Sequence, residues 1–254
     1  MELETAQRKP ETHVELKITD NFSELDAEAD DQMEEEGKAR RQKKCWMGRS
    51  AWEDLLAIVT AYHLSVLYQM TAITVIYIYV REVVQEVYPT LQTFLPVIIH
   101  GEGIVAIFMT MHYIKTIGRK TILQIGTLGC AICLFTISGG FLVKGGYTGS
   151  PTPISDAVVV LGVFGLRAVF SFTFAPVHPL YLAEIVEPYH LANGCMLMFI
   201  FAGLTAFFFP LLDEWLGGPA WVFMIFGGYT LFSFFVNHYV MIETQDKIEV
   251  EIRK

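Results

Sequence analysis

Two ionisable side chains sit deep in apolar sequence, Glu102 within 98-IIHGEGIVAIFM-109 and Arg167 within 158-VVVLGVFGLRAVFSF-172. If those runs cross a bilayer, an unpaired charge in either costs at least about 2.5–3.5 kcal/mol on insertion scales, so each is expected to have a partner. The sharpest chemistry available to them is a proton relay. Glu102 with neighbouring His100 would take up a proton, and Arg167 would hold the counter-charge. A purely structural ion pair, or a contact to another subunit or a lipid head group, uses the same residues.

The remaining reactive residue types are not spaced for chemistry. His63, His178 and His238 fall in three separate segments without paired metal-ligand spacing, and are expected to be hydrogen-bonded interior or interfacial residues. Cys130 and Cys133 share one apolar run and Cys195 lies in another, where a thiol acts as a small packing group; only Cys45 is in a polar segment. The Cys-x-x-Cys spacing has no second ligand pair to complete a metal site. No nucleophile–base pair and no nucleotide loop is present, so neither an enzyme nor a cofactor is expected. Gly101-x-Gly103 and Gly126/Gly129 read as close helix–helix contacts, and Pro96, Pro176, Pro179 and Pro210 as helix kinks.

The elements that must position these residues follow from composition. The chain has 254 residues, 53% of them apolar, with a net charge of −9. That charge is uneven: residues 1–36 hold 13 acidic against 3 basic side chains, whereas residues 55–241 hold 14 charges of both signs. So long an apolar stretch leaves no polar face to cover a water-soluble core, which excludes a soluble domain and nucleic-acid binding. Six apolar segments near or above the ~20 residues of a crossing helix are predicted at about 55–80, 90–113, 121–143, 157–183, 190–212 and 219–241. Helices are the required form, because backbone groups in lipid must be satisfied within the segment.

Six crossings place both termini on one side of the bilayer. That side collects Lys38, Arg40, Arg41, Lys43, Lys44, Arg49, Lys115, Arg119, Lys120, Lys247, Arg253 and Lys254, against Arg81 and Lys144 opposite. The bias assigns the termini to the cytoplasm, or to the matrix of a mitochondrion. Residues 1–50 read as an acidic then basic extramembrane segment, 51–243 as the helical body and 244–254 as a short tail. The run 24-ELDAEADDQMEEE-36 is of the solvated, disordered type, and becomes a docking arm if a partner surface orders it. Residues 1–36 carry no hydrophobic region, so no signal peptide is expected.

Three short motifs add a family resemblance. Between the second and third segments, 115-KTIGRKTILQIG-126 joins two apolar helices through a tight glycine turn and two cations, Gly118, Arg119 and Lys120. It is similar to the loop motif of the major facilitator superfamily. The stretch 181-YLAEIVEP-188 resembles the motif after the fourth helix of that superfamily's C-terminal half, and 243-ET-244 falls where its sugar porters have Pro-Glu-Thr-Lys. The resemblance covers about residues 50–246 and extends to both the sugar and the organic-ion branches. It implies an all-α polytopic membrane fold, the C-terminal six-helix half of a twelve-helix carrier, preceded by the acidic tail. In such carriers the two halves enclose a solute cavity and rock about it.

Departures from the family pattern bear on function. The resembling porters bind sugar through a Gln-Gln pair and an Asn on the first helix; 67-LYQMTAITVIYIY-79 keeps Gln69 but has Tyr68 and Thr74 at the other two positions. The fourth-helix Trp is absent from 175-APVHP-179, and Ala202-Gly203 stand where an Asn-Trp pair is expected. A hydroxyl-rich solute needs several convergent polar groups, since each hydroxyl left unpaired costs a few kcal/mol. The gate is altered too: Lys115 replaces the acidic residue of the loop motif, inverting its charge, and Leu191 replaces an Arg. Glu184, Arg119 and Lys120 remain and could form a local ion cluster.

These departures favour a transport-inactive half-carrier acting as an accessory subunit of a larger membrane complex. The alternative is a half-size sugar or organic-ion transporter that dimerises to complete twelve helices. Either way, lipid and another chain, a second copy or an unrelated subunit, are expected to cover the cavity face. An energy-transducing membrane such as the inner mitochondrial one fits retention in a large complex.

Overall fold

The computed structural model describes residues 51–78, 95–144, 153–241 and 244. The acidic tail, the basic cluster before the first helix and residues 245–254 lie outside the described residues. The chain divides into a first unit, residues 1–54, and a second, residues 55–254, which holds nearly all of the helical body.

Among the described residues, seven helical pieces make up that body. They are α1 (Ala51–Met70), α2 (Leu95–Ile117), α3 (Arg119–Lys144), α4 (Pro153–Phe172), α5 (Phe174–Ile185), α6 (Pro188–Leu216) and α7 (Pro219–Val240). Residues 73–78 continue α1 after a break, and α4 and α5 are two parts of one crossing. Five stretches, Ala51–Ile78, Arg119–Lys144, Ile154–Ile185, Pro188–Leu216 and Pro219–Val240, are long and apolar enough to span a membrane. The 23-residue α2 stands where the second of the six expected segments falls. The all-α six-helix architecture is therefore as the apolar segments predict.

Helix ends fall where the chain has punctuation. Gly118, at φ 84°, makes the left-handed turn from α2 to α3, a conformation other residues rarely adopt. Gly217, at φ 77°, ends α6, with the Gly218 N–H donating to the Asp213 carbonyl at 2.9 Å. Pro188 and Pro219 open α6 and α7, where a missing N–H costs nothing.

Helix α3 is the hub, packed most extensively on α7 and α4. Lipid tails are as apolar as Leu, so helices in a bilayer associate through close packing and not through loss of water contact. Glycines permit it here. A Cβ on Gly140 would stand 2.6 Å from Val159 Cγ2, one on Gly162 would stand 2.7 Å from Ile137 Cγ1, and one on Gly126 would run into the Thr173 side chain. Ion pairs fasten this seam at both ends: Arg119 Nε lies 3.2 Å from Glu184 Oε1, and Lys144 Nζ lies 3.4 Å from Asp156 Oδ1. Gly101 differs from the expectation. Nothing among the described residues approaches within 4 Å of a Cβ placed there, and at Gly103 the nearest atoms, Arg167 Nη2 and Ser171 Oγ, stand at 3.9 and 4.0 Å, an ordinary contact distance.

Two crossings are broken within their apolar spans. In the first, α1 stops at Met70 and the chain passes through Ala72, at φ 59°, before resuming helix at 73. In the fourth, Thr173 (φ −112°, ψ −69°) separates α4 from α5, just before Pro176. Pro210, by contrast, lies within an uninterrupted α6.

Candidate functional site

The two breaks bring together most of the residues the sequence singles out. After α1 breaks, Thr74 Oγ1 donates to Gln69 Oε1 at 2.6 Å, and Gln69 is only 4% exposed. Tyr68, one residue earlier, points at the other broken crossing. Its ring packs against Phe170 (centroids 4.7 Å), His178 (5.0 Å) and Phe174 (6.4 Å). The first-helix candidates thus form an aromatic wall with one internal hydrogen bond between two of its polar side chains.

A second group lies where α2 faces α4. The buried Arg167 guanidinium donates to the Tyr77 hydroxyl and sits over the Tyr77 ring, 4.2 Å from its centroid, a cation–π contact. Its Nη2 is 3.9 Å from where a Cβ on Gly103 would stand, which places the cation beside α2. Glu102 is the preceding residue on α2. Among the described residues, neither of its carboxylate oxygens has a hydrogen-bond partner. The expected partner for Arg167 is therefore found in Tyr77, which the sequence did not single out. Glu102 has no hydrogen-bond partner among the described residues, but its carboxylate lies within electrostatic reach of the Arg167 cation, the counter-charge expected for it. Tyr77 could have been suspected because an intramembrane Arg is satisfied by a ring face and a hydroxyl as well as by a carboxylate. The side chains of His100 and Lys115 lie outside the described residues.

His63 and His178 lie against aromatic rings of neighbouring helices. Among the described residues, Nε2 of His63 and of His178 has no hydrogen-bond partner; the rings pack against Tyr229 (6.3 Å) and Tyr68 (5.0 Å) instead. The apolar surroundings of both rings provide contact area but few donors or acceptors.

At the end of the body that holds Gly118, the motif residues separate into two tasks. Arg119 pairs with Glu184, whose other oxygen accepts from Thr244 Oγ1 at 2.5 Å. Lys120 does not join that cluster. Its ammonium donates to the His238 and Met241 carbonyls, at 3.1 and 2.6 Å, capping the C-terminal end of α7, where a cation meets the negative end of the helix dipole. Thus α3, α5 and the segment after α7 are tied together by residues from all three family-like motifs.

Comparison with known proteins agrees with this arrangement. The family model described as "Sugar (and other) transporter" matches residues 4–253. The chain belongs to the sugar transporter family. A relative in that family, the "Probable metabolite transport protein CsbC" of Bacillus subtilis (strain 168), is 31% identical over 165 residues, covering 61% of this chain and 34% of the relative. Among solved structures, the major facilitator superfamily proton:xylose symporter XylE bound to 6-bromo-6-deoxy-D-glucose superposes with a TM-score of 0.64 at 21% identity, over 83% of this chain and 44% of XylE. The inward-open xylose transporter XylE from E. coli gives 0.62 at 21% identity, over 84% and 45%. This sugar transporter family chain therefore has the fold of part of a major facilitator protein, and spans about a third of the curated relative and less than half of the solved ones. It is an integral membrane protein of a family of transporters, not of enzymes.

Proposed function

We propose that this six-helix body no longer binds a sugar and serves as an accessory, structural subunit of a larger membrane assembly. The bond between Thr74 and Gln69 is the observation that carries this reading. A sugar hydroxyl leaving water must find a partner or cost a few kcal/mol. The one retained polar ligand, Gln69, is buried and gives its carbonyl oxygen to its own neighbour. The adjoining wall of Tyr68, Phe170 and Phe174 offers a solute stacking area but few hydrogen bonds.

The accessory role also accounts for the outer faces of α2 and α6. Phe108 on α2 and Phe199, Phe207 and Trp215 on α6 are among the most exposed large side chains of the body. In the proposed assembly these faces meet lipid and the neighbouring subunits that complete the carrier-like shape. The termini face the positive side of the membrane, in keeping with the twelve cations there against two opposite, and residues 1–36 supply an acidic docking arm.

A second reading, a half-size porter that pairs with another copy, is favoured by Glu102. Its unbonded carboxylate on the helix that packs against Arg167 could serve a proton relay or a solute donor. It is also favoured by the relatives, described as a metabolite transport protein and a proton:xylose symporter. Native mass after mild solubilisation, read with flux in liposomes, tests between them. Migration in an assembly far larger than two copies, with no saturable sugar or organic-ion flux, is expected. A species near twice the monomer with saturable flux would establish the porter instead.

A further inference from the structure

We infer that Thr110 and Thr230 are the positioning residues of the two broken crossings, each lending its hydroxyl to a carbonyl at the break. The inference concerns the joints themselves and holds whether or not a solute is carried.

The fourth crossing makes the case most directly. In an unbroken helix the Phe172 carbonyl would accept from the amide of residue 176. That residue is Pro176, which has no N–H. Thr173 and Val177 donate elsewhere, to Val169 and Thr173 respectively. The donor that reaches the Phe172 carbonyl comes from another helix: Thr110 Oγ1 of α2, at 2.5 Å, from a side chain 1% exposed. In a membrane interior an unsatisfied carbonyl has no water to turn to, and a neighbouring hydroxyl is the available remedy.

The first crossing repeats the device. The break at Thr71–Ala72 lies just beyond Met70, and the Met70 carbonyl accepts from Thr230 Oγ1 of α7 at 3.3 Å, from a side chain that is fully buried. Within the break, Thr71 Oγ1 donates to the Tyr68 carbonyl at 2.8 Å, so a hydroxyl of the joint itself assists.

Both threonines have a second acceptor on their own helix. Thr110 Oγ1 is 2.9 Å from the Ala106 carbonyl, and Thr230 Oγ1 is 2.8 Å from the Phe226 carbonyl. Such back-bonding to the carbonyl four residues earlier is a ready alternative for a helical threonine. A hydroxyl carries one proton, so each can serve the joint or its own helix. Bending at a joint therefore never strands the threonine; the proton turns back to Ala106 or Phe226. The distances rank the two: Thr110 lies nearer the joint carbonyl than its own, and Thr230 the reverse. The α2 contact is thus the tighter hold, and it fixes where Phe174 and His178 stand relative to Tyr68.

Hydrogen–deuterium exchange of the full chain in nanodiscs tests this. For Thr110→Val, amides at 171–180 are expected to exchange about 3- to 10-fold faster, the range given by a typical interhelical hydrogen bond in a membrane, with α6 unchanged. Thr110→Ser should restore the wild-type rate. For Thr230→Val a smaller rise confined to 68–76 is expected. In a Pro176→Ala background the amide at 176 returns, so adding Thr110→Val should have no further effect. No rise in either Val variant would overturn the inference. So would a Thr110→Val effect that persists in the Pro176→Ala background, since that would mark lost packing and not a lost donor. If Thr110→Val alone does not fold, the Pro176→Ala/Thr110→Val chain is still expected to fold as Pro176→Ala does, and its failure would contradict the inference equally.

Discussion

Thr74 and Gln69 are hydrogen-bonded to each other across the break at Ala72, hydroxyl to amide oxygen at 2.6 Å. The two positions at which the resembling porters hold a solute are here turned inward on one another. A left-handed Ala72 brings them together, a conformation that costs a non-glycine residue about 1 kcal/mol or more. The break in the helix is kept, and the Thr74 hydroxyl is spent on the Gln69 carbonyl oxygen across it.

The seam between α3 and the fourth crossing should be intolerant of volume at selected glycines only. Gly126→Ala places a methyl into Thr173 and is expected to cost about 1–3 kcal/mol, read as a lower Tm in detergent. Gly139→Ala, with nothing within 4 Å among the described residues, should stay within about 0.5 kcal/mol of wild type.

Glu184→Gln keeps the acceptor for Thr244 but removes the charge that faces Arg119. Loss of about 1–3 kcal/mol is expected, because the Arg119 cation is left facing a neutral side chain at a mostly buried site. Equal Tm for the variant and the wild type would show that the pair is a surface feature of no energetic weight.

At the opposite end, Lys144 and Asp156 form a pair whose side chains are 7% and 12% exposed. Removing one partner leaves the other buried and uncompensated. Lys144→Met should cost about 3 kcal/mol, and Lys144→Met/Asp156→Leu should recover most of it. A double variant no more stable than the single one would refute the pairing.

Glu102→Gln is expected to leave stability unchanged or raise it by about 1 kcal/mol, because neither carboxylate oxygen has a hydrogen-bond partner among the described residues. A clear fall in Tm would mean that attraction to Arg167 outweighs the cost of burying the carboxylate. Unchanged proton-coupled flux in the same variant, if any flux exists, would end the relay reading.

How far the sequence reached depended on the range of the interaction. The crossings were legible because each is a long apolar run with its own punctuation, such as Gly118, Pro188 and Gly217, and these are local properties. The Arg119–Glu184 pair was legible through motifs whose spacing reflects a shared helix end. Lys120 was not, since its partners are carbonyls at the end of α7 that only the packed bundle brings near. Arg167 likewise pairs with Tyr77 on another crossing, a matter of rotation and depth between helices that periodicity alone does not specify. Thr110 gave no signal because its significance lies in what Pro176 removes from a different helix. Gly101 and Gly103 looked alike in sequence, yet among the described residues only Gly103 meets a neighbour.

Equilibrium binding of a radiolabelled sugar to the purified full chain in nanodiscs tests the central claim most directly. With Gln69 engaged by Thr74 and the surrounding wall aromatic, no saturable, competable binding is predicted. Saturable binding that is lost on replacing Gln69 by Ala would contradict it, and would return the chain to the working porters.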